Sequence, residues 1–448
     1  MGQHIMVVAV IALSLLGTAR EVKAAEQRLG LNEAIKIAWE GNPELRALRQ
    51  ALAAQQEEVG VSRSALLPRI GFEERALRTN NPTMVFSSRL NQGQFSASDF
   101  ALNNLNNPSP ITDFQTLFTI EQPLFVGKAF VGLDMAKREL AAKQEDYRRK
   151  TEELTLRVVQ TYLQVFTTRE MLTVARRGVE DSREHLRSAE LRFKNGLGLF
   201  SDTLRSKTGL LEAEQRVVSA EKNHILAKRT LGLLLGLGEP VNIDQEQFDF
   251  QPREAQYYTG ASLSRSDLKA LELRRENAKK EIRRAESQYL PTLSLGGAYQ
   301  LNDPNRVLGS DGENWQVMAI LRWDLFDGTQ REYERKKAHY QASEAGEQVN
   351  GLKQMVSFKI QEASLAVEES RKHVELARAA LESAEEGQRL VKGRFDNSLA
   401  PLTDLLSVQL NLDQARANLV RRENEYRLAV IRLGFEGGTI LADLNLNP

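Results

Sequence analysis

Few residues of this chain of 448 could do chemistry. Its histidines are His4, His185, His224, His339 and His373, and no metal-ligand spacing occurs among them. Cysteine is absent, which excludes disulfides, thiolate metal sites and a cysteine nucleophile. Paired carboxylates such as Glu57-Glu58 and Glu385-Glu386 read as charged helix faces in solvent. No glycine loop of the phosphate-cradling kind is present, so no catalytic residue, metal or cofactor is expected, and any energy must come from a partner. Lys and Arg total 60 and Asp and Glu also total 60, a balance that argues against a nucleic-acid partner. What remains is a pair of carboxylates at matching places, Asp202 and Asp404.

Both lie in a stretch that occurs twice. The first copy runs Arg192-Phe193-Lys194-Asn195-Gly196-Leu197 and on to Ser201-Asp202-Thr203-Leu204. The second runs Arg394-Phe395-Asp396-Asn397-Ser398-Leu399 and, past Pro401, on to Thr403-Asp404-Leu405-Leu406. The offset is constant, 202 residues from Arg192 to Arg394 and again from Asp202 to Asp404. Asn-Gly and Asn-Ser are turn signals, and a long helical pattern precedes each while a shorter one follows. Each copy therefore reads as the tip of a long helical hairpin. In both, the aspartate falls in the first turn of the returning helix, where a carboxylate suits the helix N-terminus.

The elements that carry these tips also repeat. Leu31 to about Leu67 has a helical pattern, with Pro43 forcing either a first-turn position or a true start at Asn42. Asn80 to Asp113 is rich in Asn, Ser and Pro and reads as a long exposed loop. Gly127 to Lys194 is helical without a proline, on the order of 100 Å long at ~1.5 Å per residue, and Leu199 to Leu235 returns. In the second half, Ser264 to Leu290, Gly328 to Gly393 and Pro401 to Leu433 repeat the plan. Leu66-Leu67-Pro68 matches Tyr289-Leu290-Pro291, Leu124-Phe125-Val126-Gly127 matches Leu325-Phe326-Asp327-Gly328, and Leu231-Gly232 matches Leu433-Gly434. The first of these offsets is 223 and the later ones 201 to 202, so the first half holds about 22 extra residues between its strands.

The long helices agree in phase. Val356, Ile360, Ala363, Val367, Ser370, Val374, Ala377, Leu381, Ala384 and Val391 step by four and three, with Gln388 the one polar exception. The corresponding row of the first half runs from Leu154 and Val158 through Val165 and Val179 to Ala189, with Leu186 in the place of Gln388. A seven-residue period held this long is a coiled-coil seam.

Ile70 to Arg78, Phe114 to Phe125, Thr292 to Leu301 and Trp315 to Phe326 are strand candidates of about ten residues, the length that crosses a membrane. Trp315, Trp323, Phe114 and Phe125 stand near strand ends, as interfacial aromatics do. A soluble sheet capping a helical bundle alternates in the same way, and alternation does not separate the two. If the strands do cross lipid, four of them cannot close a barrel, and open edges are not tolerated there, so a homo-oligomer follows. At the amino terminus, the apolar run Ile5 to Leu16, followed by Val22-Lys23-Ala24, reads as a secretory signal peptide, although only His4 and the amino terminus precede it. The expected division is a leader over 1–24, a first repeat over 25–236, a connector over 237–263, a second repeat over 264–434 and a tail over 435–448.

This order of helix, two strands, long helix and helix, twice over, resembles the TolC-like outer-membrane efflux family. The Leu-Pro break, the turns Pro123-Leu124-Phe125-Val126-Gly127 and Asp324-Leu325-Phe326-Asp327-Gly328, and the tips Asn195-Gly196-Leu197 and Asn397-Ser398-Leu399 carry the resemblance. It covers nearly all of the mature chain. It implies a mainly α fold with a minor β part. Long antiparallel coiled-coil hairpins form an α-barrel, and four strands per chain join a 12-stranded transmembrane β-barrel in a homotrimer. The connector and tail form a belt around the helices. It implies an exit duct in outer-membrane lipid for efflux or type I secretion, working with a periplasmic adaptor and an inner-membrane transporter. Gly196, Leu197, Asp202, Ser398 and Leu399 fall where adaptor-docking tips lie. Asp404 matches the acidic constriction that closes the duct, and Ser407 stands where some members carry a second Asp. Two other readings of the helices stand beside this one. A periplasmic adaptor would carry one hairpin between β-rich segments, and a soluble coiled-coil scaffold would need no alternating segments.

Overall fold

The computed structural model describes residues 28–244 and 251–446, so the leader expected over 1–24 lies outside the described residues. The short strand β1 (Arg28–Leu29) leads into α1 (Leu31–Gly41) and α2 (Pro43–Ser64). Then come β2 (Arg69–Thr79), α3 (Pro82–Asn91), α4 (Leu102–Asn106) and β3 (Ile111–Phe125). The first long hairpin is α5 (Gly127–Lys194) and α6 (Phe200–Leu235). After β4 (Asn242–Ile243), α7 (Ala255–Ser262) and α8 (Ser266–Glu286), the strands β5 (Thr292–Asp303) and β6 (Gly312–Arg322) follow. The second hairpin is α9 (Gln330–Asp396) and α10 (Leu402–Gly437), and α11 (Ile440–Asp443) comes last.

One open alternative is settled and one expectation needs correction. The pattern over Leu31 to Leu67 is two helices, because Pro43 lacks an N–H and Asn42 starts a new one. The Asn42 side chain accepts from Glu44 N at 2.9 Å and Leu45 N at 3.4 Å. The segment Asn80 to Asp113 is not an unstructured loop. Asn81 caps α3, with Pro82 in its first turn, and Val85 and Ser88 of α3 are buried. Arg89 and Asp99 join as an ion pair 2.5 Å apart within that segment.

The chain divides into two compact units that cut across the sequence repeats. One comprises Met1–Ala38, Val158–Phe248 and Ala380–Arg421. In it, β1 pairs in parallel with β4, and Leu31, Ala34, Ile35 and Ala38 of α1 are buried. Tyr162 on α5 donates its hydroxyl to Leu29 O at 2.8 Å. The seam residues Val158, Val165, Val179 and Ala189 are buried, as the period requires. Gly232 is required by close approach, since a Cβ there would lie 1.7 Å from Glu239 O in the turn that follows α6.

The other unit comprises Trp39–Arg157, Asp249–Ala379 and Arg422–Pro448. Its helical seam is also closed. Val356, Ile360, Ala363 and Val367 of α9 pack with Val430 and Leu433 of α10 and with Tyr258 of α7. The repeat reaches a surface ion pair, for Arg176–Glu221 at 3.0 Å in the first unit has its counterpart in Arg378–Glu423 at 2.9 Å here. Around the end of α10, Arg149 of α5 is buried against Glu152 at 2.8 Å and over the Phe435 ring, and Arg265 holds Glu436 O at 2.6 Å. Helix α10 runs on to Gly437, three residues into the segment read as tail.

The sheet of this unit is antiparallel in the order β2-β3-β5-β6. Register places Phe72, Phe118, Tyr299 and Trp315 in one row across all four strands, and Ile70, Ile120, Gly297 and Val317 in another on the same face. Phe72 and Phe118 rings are 5.3 Å apart. The opposite face carries Gly71, Thr119, Ala298 and Gln316, then Glu73, Leu117, Gln300 and Asn314. The apolar face is bare. Ile70 is 79% exposed, Trp315 74% and Val317 67%, values that a sheet packed on its own helices would not show. From Trp315 to the exposed Trp323 is eight residues, about 26 Å at ~3.3 Å per residue, close to the ~25 Å apolar band of outer-membrane barrels. Among the described residues no helix is long and apolar enough to cross a membrane.

Candidate functional site: the hairpin tips

Both tips lie in the first unit, and both close in the same way. At the first, Leu197 N donates to Arg192 O at 2.8 Å and Gly196 N to Phe193 O at 3.0 Å, with Gly196 at φ +70°. At the second, Leu399 N donates to Arg394 O at 2.7 Å and Ser398 N to Phe395 O at 2.9 Å, with Ser398 at φ +59°. This pair of bonds satisfies the last helix carbonyls and needs a left-handed residue at the turn. Glycine takes that conformation freely, while Ser398 does so at a cost of roughly 1–2 kcal/mol.

The turns carry apolar side chains into solvent. Leu197 is 69% exposed and Leu399 70%. Leu199, Phe200 and Leu204 are exposed beside the first, and the Phe193 and Phe200 rings meet at a tilt of 47° with centres 5.4 Å apart. The two tips thus present apolar side chains to solvent where a plain surface turn would carry polar ones.

Both aspartates fall in the first turn of their helices, as the sequence pattern requires. Asp404 N donates to Pro401 O at 3.2 Å, which sets the first turn of α10. Among the described residues, its carboxylate accepts one contact, from Thr403 Oγ1 at 3.5 Å, and no helix N–H. Asp404 and Ser407 are exposed on one side of α10, while Leu402, Leu405, Gln409 and Leu412 are buried on the other. Asp202 holds the matching place on α6 and is half-buried. The structure thus brings Ser398, Leu399, Asp404 and Ser407 together at one tip and Gly196, Leu197 and Asp202 at the other.

One residue joins them. Arg192 donates from Nη1 to Phe395 O at 2.7 Å and from Nη2 to Ser398 Oγ at 2.8 Å, and its guanidinium lies 4.6 Å from the Phe395 ring centre. Phe395 is buried with Leu402 and Leu405, whereas its counterpart Phe193 is exposed. Arg192 stands in the repeated motif, but nothing in the motif marks it as the tie between the copies, because Arg394 repeats it without that role. Among the described residues no group of three or more His, Cys, Asp or Glu is placed to hold a metal ion.

The model of the outer membrane efflux protein family matches residues 34–237 and 258–435. The alkaline protease secretion protein AprF of Pseudomonas aeruginosa is 23% identical over 441 residues, 93% of this chain and 86% of that protein. Outer membrane protein TolC of Vibrio cholerae is 23% identical over 439 residues, 95% of this chain and 93% of that protein. Among solved structures, the Campylobacter jejuni CmeC outer membrane channel superposes with a TM-score of 0.76 at 17% identity, covering 92% of this chain and 86% of that one, which shows a shared fold.

Proposed function

Because the chain belongs to the outer membrane efflux protein family, and is an outer-membrane channel for efflux or secretion and not an enzyme, we propose that three copies form one exit duct whose tips dock a periplasmic adaptor. Membership sets aside both the adaptor and the soluble-scaffold readings. The observation that carries the trimer is the sheet. Its apolar face is bare, and its outer strands β2 and β6 each leave one edge unpaired among the described residues. Lipid does not tolerate open edges, so β6 of one copy pairs with β2 of the next, and three four-stranded sheets give twelve strands. The described parts of the connector, 237–244 and 251–263, and of the tail, 435–446, contribute the belt. An inner-membrane transporter supplies the energy.

The adaptor meets Leu197 and Leu399, flanked by Gly196, Ser398 and Asp202. Leu197→Asp combined with Leu399→Asp is expected to reduce export of a test substrate to the level of a strain lacking the protein, while the complex extracted from the outer membrane keeps its mass. Unimpaired export would remove the tips from the docking surface. Asp404 supplies the constriction, with three carboxylates around one axis and Ser407 one turn further in.

A further inference from the structure

The polar exception in the α9 seam, Gln388, leads to a buried cluster that tip closure does not use. Gln388 Nε2 donates to Gln409 Oε1 at 3.2 Å, and His185 Nε2 lies 3.4 Å from the same oxygen. Gln409 Nε2 donates to Asp181 Oδ2 at 2.8 Å and to Asp413 Oδ1 at 3.1 Å. All four hydrogen-bonding positions of the buried Gln409 amide are thereby engaged. Asp181 and His185 belong to the first hairpin, and Gln388, Gln409 and Asp413 to the second. Gly178 gives the Asp413 carboxylate room, since a Cβ there would lie 3.1 Å from Asp413 Oδ2. The equivalent places of the first hairpin are Leu186, Lys207 and Leu211, so the cluster has no symmetric copy.

We propose that this cluster is a latch between the two hairpins that tightens in acid and loosens as the pH rises. Two carboxylates share one amide nitrogen in a half-buried site, and separating the hairpins would return both to water. Burial pushes the Asp413 carboxyl above the usual carboxylate range, and the neighbouring Asp181 adds to this. Gln409, Arg216 and Arg416 pull it the other way. The charged and titratable groups around it are Asp181 and His185 on α5, Arg216 on α6 and Arg416 on α10, while α9 offers the neutral Gln388. A carboxyl with a raised value in the joined state binds its proton more tightly there than in the separated state. Joining is therefore favoured fully below the ordinary carboxylate value, and that advantage is lost as pH rises through the raised value.

The chain has no cysteine, so spin labels can be placed cleanly at Glu190→Cys on α5 and Glu382→Cys on α9, both exposed. Full-length labelled chains diluted among unlabelled ones are reconstituted in lipid, and the distance distribution is recorded from about pH 4 to about pH 8. The ratio of separated to joined hairpins is expected to rise with pH, by up to about tenfold per pH unit for one proton. Asp413→Asn keeps the acceptor but cannot titrate, and it is expected to stay at the acid ratio throughout. Asp181→Asn is expected to shift the rise to lower pH, by removing the charge that raises Asp413. A ratio independent of pH in the unmodified protein, or an Asp413→Asn variant that keeps the full response, would overturn the latch. The distance readout does not depend on conduction or docking, so its failure is separate from a failure of the duct.

Discussion

Val317→Arg is expected to destabilise the assembled protein in a bilayer by about 2–4 kcal/mol, while Gln316→Arg costs about 1 kcal/mol or less. The two residues are neighbours on β6 but point to opposite faces. Val317 is the middle residue of the strand and pairs with Gly297, in the row that holds Ile70 and Ile120. With Phe118, Tyr299 and Trp315, these residues line a shallow apolar hollow on the bare face. If the bare face lies against lipid, a guanidinium there would sit at the level of the acyl chains among apolar neighbours. Gln316 pairs with Ala298 on the face that carries Thr119, Gln300 and Asn314, where an added charge meets polar groups. Thermal dissociation of the two variants in bilayers of one composition measures the difference. Equal losses would mean that the bare face does not lie against lipid.

Asp404→Asn is expected to lower the cation selectivity of the channel and to weaken block by multivalent cations, both severalfold. In the proposed trimer three Asp404 carboxylates would surround one axis and make a field that concentrates cations, and the amide would remove it at nearly constant shape. The Asp404 carboxylate accepts no helix N–H among the described residues, and the amide keeps its shape, so the start of α10 is expected to survive the change. Loss of charge should then be separable from loss of structure. Asp202→Asn serves as the control, at the same place on the other hairpin. Ser407→Asp, one turn along the same exposed side, is expected to strengthen block by adding a second ring. Planar-bilayer recordings with a salt gradient and a multivalent cation check all three. If Asp202→Asn changes selectivity as much as Asp404→Asn, the constriction is not at Asp404.

Much of the architecture is legible because the sequence states it twice. Helix α5 begins at Gly127 and ends at Lys194 as the pattern requires, since no proline interrupts it and the Leu-Phe-x-Gly turn marks its start. The seam from Val356 to Ala377 is buried because its period matches a coiled coil. Composition misled at Asn80 to Asp113, where Asn81 and Pro82 are as much a helix start as a loop signal. The helix start at Asn42 is legible, because Pro43 is tolerated only in a first turn. Other features exist only between elements. Alternation shows that a strand has two faces, but only register reveals an apolar face continuous from Phe72 to Trp315. The tips repeat Arg-Phe, and yet one phenylalanine is buried and the other exposed, because Arg192 reaches across from one copy to the other. Gln388 stands out as a polar residue in an apolar seam, while its partner Gln409 lies on another helix and carries no mark of its own.

The account stands on the sharing of one barrel by three copies. Native mass measurement of the complex, extracted from the outer membrane in mild detergent, tests that most directly. A mass of three mature chains is predicted, persisting on dilution. A single chain, or a complex with any other number of copies, would contradict it.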